Sequence, residues 1–230
     1  MKRVANVLFY RFAKLVIGLI LFIWTRKEVV GLENVPKKGP VILASNHVNL
    51  LDPPLLAILL PRRIVYMGKI ELWRTPIIGR LYDLAGFIPV RRFEADLAAL
   101  RRAEKTLRQN HVLGMFPEGT RSGKPGMGKA HPGTAIIALR TGAPVVPVAV
   151  TGTEGVAVPR SFFRITRVRV VFGKPFALPK GRRLDSEFVE QCTERIMKEI
   201  AALLPEGYRG VYAGSVAGQP EEQSEGISLI

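Results

Sequence analysis

From residue 25 onward, short and nearly continuous apolar runs alternate with stretches whose apolar residues recur every three or four positions. Val41-Ile42-Leu43-Ala44-Ser45, preceded by Lys37-Lys38-Gly39-Pro40, predicts a buried strand. The same reasoning predicts strands at 64–67, 87–90, 112–116, 145–150 and 168–172. Asp52 suits a helix N-cap and Pro53 a first helical position, so 53–60 is predicted helical. Residues 94–109 place Leu97, Leu100, Ala103 and Leu107 on one helical face, and 132–140 predicts another helix. A final helix starts at Asp185 or Ser186 and carries Val189, Cys192, Ile196, Ile200 and Leu203 at the helical period. This alternation implies an α/β fold, a single domain with a mixed, largely parallel sheet flanked by helices. Pro147 interrupts the pattern, because proline lacks the donor a central strand needs; a bulge, a strand end or an edge strand accommodates it.

The first 24 residues follow another pattern. Lys2, Arg3, Arg11 and Lys14 precede an unbroken apolar run from Leu15 to Trp24. As helix, that run covers about 15 Å, half the hydrocarbon core of a bilayer. Thr25-Arg26-Lys27 follows it in place of the small residues of a cleavage site. Three readings stay open: a helix lying in one leaflet with its basic side chains reaching headgroups, a tilted span, and an ordinary core helix. Interfacial attachment is preferred, since core helices rarely carry so long an all-round apolar run. The expected organisation is a membrane-associated helix over 1–27, an α/β domain over 28–212, and a loose polar tail over 213–230.

Composition narrows the partners. The chain has 230 residues, 47% hydrophobic and 23% charged, enough to bury one sizeable core. Its 34 Lys and Arg outnumber 19 Asp and Glu, a net charge of +15 that favours anionic lipid surfaces, phosphorylated substrates or nucleic acid. The charge is spread in pairs such as Arg62-Arg63 and Arg101-Arg102, with no nucleic-acid-binding signature, so nucleic acid is set aside. The single cysteine, Cys192, leaves no internal disulfide and falls on the apolar face of the last helix.

Two segments carry candidate chemistry, each at the exit of a predicted strand, where α/β sheets gather ligands. In Asn46-His47-Val48-Asn49-Leu50-Leu51-Asp52, a histidine precedes a carboxylate by five positions. The carboxylate can accept from one ring nitrogen and leave the other free to take a proton. The same spacing also suits a satisfied loop histidine beside a helix cap. In Phe116-Pro117-Glu118-Gly119-Thr120-Arg121-Ser122, Gly119 lets the backbone turn close to a ligand and Arg121 offers a planar fork for phosphate. Glu118 can hold Arg121 or meet a ligand hydroxyl; a solvated turn with a surface ion pair is the plainer reading.

Taken together, the segments resemble the lysophosphatidate acyltransferase family, the 1-acylglycerol-3-phosphate O-acyltransferases. Four blocks occur in the family's order: the His-x4-Asp block at 46–52, Gly86-Phe87-Ile88-Pro89-Val90-Arg91-Arg92, the block at 116–122, and Val145-Val146-Pro147-Val148-Ala149-Val150. The resemblance implies transfer of a fatty acyl group from acyl-CoA or an acyl carrier protein to the sn-2 hydroxyl of lysophosphatidate. It needs no metal or further cofactor. His47 would be general base and Asp52 its partner; Arg121, Gly119, Thr120, Lys69 and Arg92 would surround the phosphate, with Glu118 and Asn46 in support. It also implies attachment to the cytoplasmic face of the cell membrane through the N-terminal helix. Asn49 departs from the serine common at that place in the family.

Rival readings are weaker. A metal-dependent hydrolase has His47, His111, His131, Asp52 and Glu118 to draw on, but no paired-histidine spacing. A serine hydrolase lacks the G-x-S-x-G turn. A non-catalytic lipid-binding protein explains the charge and the apolar N-terminus, though not a base–carboxylate pair beside an arginine.

Overall fold

The structure is a computed structural model and describes residues 2–91, 96–156, 165–179 and 184–215. Among these residues, seven strands form one sheet: β1 (Thr25–Val30), β2 (Val41–Ser45), β3 (Ile64–Lys69), β4 (Ile88–Val90), β5 (Val112–Met115), β6 (Val145–Thr151) and β7 (Thr166–Phe172). Their order is β1-β7-β6-β2-β5-β3-β4. All neighbours are parallel except β6 and β7, so β1 and β7 run against the other five. The predicted mixed, largely parallel sheet is the one observed.

Helices α1 (Lys2–Trp24), α2 (Asp52–Leu59), α3 (Pro76–Ala85), α4 (Leu97–Arg108), α5 (Gly133–Thr141) and α6 (Ser186–Ala202) complete the fold. Successive strand residues face opposite sides, so β2 sends Ile42 and Ala44 into a core shared with α4, α5 and α6. Val41 and Leu43 enter a second core with α1 and α2. The chain leaves β2 through α2 toward β3 and leaves β5 through α5 back toward β6, on opposite faces of the sheet. Right-handed crossovers in opposite directions require that arrangement. They diverge at the C-terminal edge of β2 and β5, the switch point where open α/β sheets gather ligands.

Pro147 sits inside the sheet, paired in register with Ala44 of β2. On its other side the β6–β7 ladder links Val148 to Phe172, and the next link is a bridge between Val145 and Phe176. The β7 side therefore carries one extra residue, a bulge, and the Gly173 N–H donates to the Pro147 carbonyl at 2.8 Å. The missing proline donor falls where the ladder is already broken.

Two elements escaped the hydrophobic pattern: β1 and α3. The face of α4 also differs from expectation. Ala99, Ala103 and Leu107 are buried, whereas Leu97 is 57% exposed because it stands in the first turn, just after the Asp96 cap. The start of the predicted 94–109 helix includes residues outside those described. At the other end, Gly210–Ser215 forms a 3-10 turn, and residues 216–230 of the expected tail lie outside the described residues.

Helix α1 is not a core helix. Leu21 is buried against the domain, while Leu8, Phe12, Leu15, Leu19 and Phe22 are exposed along one outer stripe. Among the described residues no helix is long and apolar enough to cross a membrane. Lys14 turns inward, its ammonium donating to the Leu60 carbonyl at the end of α2, and its burial pushes the ammonium pKa down.

Candidate functional site

The C-terminal ends of β2 and β6 converge on one carboxylate. Asp52 opens α2, but its side chain turns back from the helix instead of capping it. Asp52 Oδ2 accepts from His47 Nδ1 at 2.9 Å and from the backbone N–H groups of Val48 and Asn49, both at 2.8 Å. Its Oδ1 accepts from the Thr153 hydroxyl at 2.7 Å. Asp52 is wholly buried and His47 is 8% exposed. A buried carboxylate is tolerable only with such a set of donors. Because Asp52 accepts at Nδ1, Nε2 is the basic nitrogen of the neutral ring.

The ring is fixed on its flat side as well. Phe116 stacks on it with centroids 4.1 Å apart, and Tyr66 stacks beyond Phe116 at 5.9 Å. The backbone is fixed by Glu118, whose Oε1 accepts the His47 N–H at 3.0 Å and whose Oε2 accepts the Gly128 N–H at 2.8 Å. Burial pushes the Glu118 pKa up, and these two donors oppose the shift. Glu118 does not hold Arg121, as the sequence suggested; both its oxygens bind backbone. Sequence reasoning saw a carboxylate near the base and could not see which donors the fold brings to it.

The arginine segment runs beside the histidine segment. Ser122 N–H donates to the His47 carbonyl at 2.9 Å and Gly123 N–H to the Val48 carbonyl at 3.1 Å. Arg121, one residue before, is exposed at the rim and forms no ion pair among the described residues. Gly119 has a left-handed φ of 67°, and a Cβ there would lie 2.8 Å from the His131 ring. Thr120 is exposed beside it. Asn46 ties β2 to β6: its amide donates to the Val150 carbonyl and accepts the Val150 N–H, each at 2.8 Å. Asn49 closes a local turn by accepting the Leu51 N–H at 3.1 Å. Lys69 is exposed at the end of β3, on the same sheet edge. Arg92 lies outside the described residues.

Sequence reasoning missed Thr153, Phe116 as a stacking partner, and Tyr66. The only signal for Thr153 is its place just past a strand that ends at the site. Among the described residues, no group of three His, Cys, Asp or Glu side chains is placed to hold a metal ion. An apolar cleft opens between α1, α2 and the first half of β3, lined by Phe9, Ala13, Ile17, Ala57, Tyr66 and Phe87. Tyr66 is common to this cleft and to the aromatic stack on His47.

Comparison with known proteins adds a family. The family model described as Acyltransferase matches residues 26–151. The chloroplastic 1-acyl-sn-glycerol-3-phosphate acyltransferase BAT2 of Brassica napus is 31% identical over 188 residues, 79% of this chain and 54% of that protein. The 1-acyl-sn-glycerol-3-phosphate acyltransferase of Bacillus subtilis is 28% identical over 194 residues, covering 81% and 94%. The crystal structure of the 1-acyl-sn-glycerophosphate acyltransferase PlsC from Thermotoga maritima aligns with a TM-score of 0.63 at 25% identity, over 85% of this chain and 77% of that one. The chain spans about half the length of the plant relatives it matches.

Proposed function

The chain belongs to the acyltransferase family, and on that premise we propose that it moves a fatty acyl group from an acyl thioester to the sn-2 hydroxyl of lysophosphatidate, giving phosphatidate. The observation that carries this reading is the 2.9 Å bond between His47 Nδ1 and Asp52, which leaves Nε2 as the basic nitrogen. The acceptor hydroxyl gives its proton to His47 Nε2 as its oxygen attacks the thioester carbonyl carbon. Asp52 stabilises the imidazolium that forms. The tetrahedral intermediate then collapses, the carbon–sulfur bond breaks, and the imidazolium returns the proton to the leaving thiolate. No protein nucleophile is needed.

Arg121 grips the phosphate of the acceptor from the rim and aligns its hydroxyl, with Lys69 and Arg92 as neighbouring cations. Gly119 and Thr120 present the adjoining backbone. The apolar cleft under α1 receives an acyl chain, and the outer stripe of α1 lies on the cytoplasmic face of the cell membrane. Coenzyme A and acyl carrier protein are both anionic carriers that suit the basic surface, and either supplies the thioester.

A thioester-release assay with a panel of acceptors tests the reading: lysophosphatidate, glycerol-3-phosphate, other lysophospholipids and a dephosphorylated monoacylglycerol. Lysophosphatidate is expected to be turned over best. Arg121→Ala should raise KM for lysophosphatidate by about tenfold or more, the scale of one lost charged hydrogen bond, and leave the dephosphorylated analogue nearly unchanged. Equal effects on both acceptors would remove Arg121 from phosphate recognition.

A further inference from the structure

Thr153 and Tyr208 lie outside the four sequence blocks, and Thr153 also lies just past the family match at 26–151. Yet the hydrogen bonds of the His47–Asp52 pair run through them. Thr153 is 1% exposed and its hydroxyl donates to Asp52 Oδ1 at 2.7 Å, the one side-chain donor on that oxygen among the described residues. It begins a 3-10 turn, Thr153–Gly155, entered through Gly152 with φ 85°. That entry is confined, since a Cβ on Gly152 would lie 2.1 Å from the Arg167 carbonyl oxygen.

The turn is fastened from the far end of the domain. The Tyr208 hydroxyl donates to Glu154 and accepts the Gly152 N–H at 3.3 Å, so it holds the residues on both sides of Thr153. Burial and the Glu154 carboxylate push the Tyr208 pKa up to about 12. The backbone of the same segment reaches the other support of the pair. Met127 N–H donates to the Tyr208 carbonyl and Val211 N–H to the Met127 carbonyl, both at 3.1 Å. Gly128, next in sequence, donates to Glu118, and Glu118 holds the His47 N–H. The segment after α6 thus meets the catalytic pair from two sides, through Thr153 on Asp52 and through Glu118 on His47.

We propose that Thr153 is a positioning residue of the His47–Asp52 pair, and that Tyr208 sets its geometry by fastening the turn that carries it. A hydroxyl on Oδ1 draws charge toward that oxygen, aims Oδ2 at Nδ1, and lowers the basicity the imidazole feels through Asp52. The role in turnover rests on the proposed acyl transfer; the effect on the imidazole does not.

The test titrates the His47 imidazole by NMR in the full chain in detergent, with kcat and acceptor KM measured alongside. The His47 resonance is assigned by its loss in His47→Gln. Thr153→Val removes the donor at nearly constant shape, and Thr153→Ser keeps it. Loss of the donor makes Asp52 a stronger partner for the imidazolium, so the titration of His47 should move up by about half a unit or more in Thr153→Val. It should return in Thr153→Ser. At the same time kcat should fall about tenfold with KM nearly unchanged. Tyr208→Phe should shift the titration the same way by less, and the Thr153→Val/Tyr208→Phe double variant should match Thr153→Val alone. Glu154→Ala replaces Tyr208→Phe should that variant not fold. Glu118 and Tyr66, the other titratable groups close to the pair, are untouched by these substitutions.

An unmoved or lowered titration in Thr153→Val would overturn the proposal, as would additive effects in the double variant. A Tyr208→Phe protein that only melts earlier, with the His47 titration in place, would overturn Tyr208's part in it. The expected shift in Thr153→Val, with a wild type that acylates no acceptor, would sink the acyl-transfer reading and leave the positioning intact.

Discussion

Asp52 is the residue on which the site's local geometry depends. A carboxylate with no solvent contact holds four donors from two segments of chain: one ring nitrogen, two backbone N–H groups and one hydroxyl. Asparagine keeps the size and loses the charge. Its amide nitrogen must also face N–H or hydroxyl donors on one side, so at least one buried donor goes without an acceptor. Asp52→Asn should therefore lower kcat by about 10²- to 10⁴-fold through the lost partner of the base and stability by about 1–3 kcal/mol through the unsatisfied donor. Turnover and a urea denaturation midpoint read the two effects separately. Glu118 follows the same logic at the backbone level: burial disfavours its charge, and two N–H donors oppose that shift.

At the scale of elements, what the sequence revealed depended on how local the cause was. Runs such as Val41–Ser45 are buried on both faces, so their composition alone marks a strand of a covered parallel sheet. Strand β1, Thr-Arg-Lys-Glu-Val-Val, reads as a polar linker because it lies at the sheet edge and is paired only with β7, far along the chain. Helix α3 had local signals, Pro76 at its start and Gly86 in a left-handed conformation at its end. Gly79 hid them: it weakens a helical pattern, yet it is there because Trp73 packs so close that a Cβ would meet its Cα at 3.1 Å. In the site, the His–Asp spacing was legible because both residues sit on one loop. Thr153, Phe116 and the true partners of Glu118 were not, because each contact is made by bringing separate strand ends together. In the sequence Asp52 suits a helix cap as well as a partner for His47, and spacing cannot say which way the carboxylate turns.

The whole molecule presents an apolar stripe, an apolar cleft and an excess of positive charge. Phe12, Leu15, Leu19 and Phe22 are exposed on α1, an apolar stripe of the kind that marks an interaction surface. The apolar cleft lies between the inner side of this helix and the elements that carry the site. With a net charge of +15, binding to anionic vesicles should combine apolar insertion with electrostatic attraction, and only the second weakens with salt. Phe12→Asp/Leu19→Asp should lower partitioning into phosphatidylglycerol vesicles by about a hundredfold or more, from about 1.5–3 kcal/mol per buried side chain. Co-sedimentation checks it, with circular dichroism confirming that the domain remains folded. Unchanged partitioning would place the membrane contact elsewhere.

The central claim is that His47 Nε2 takes the proton of the attacking alcohol. The direct measurement is single-turnover acyl transfer from a saturating acyl thioester to lysophosphatidate, comparing wild type with His47→Ala of matched thermal stability. The account predicts a rate lower by about 10²-fold or more, with acceptor affinity retained. A folded His47→Ala protein that transfers the acyl group at near the wild-type rate would contradict it.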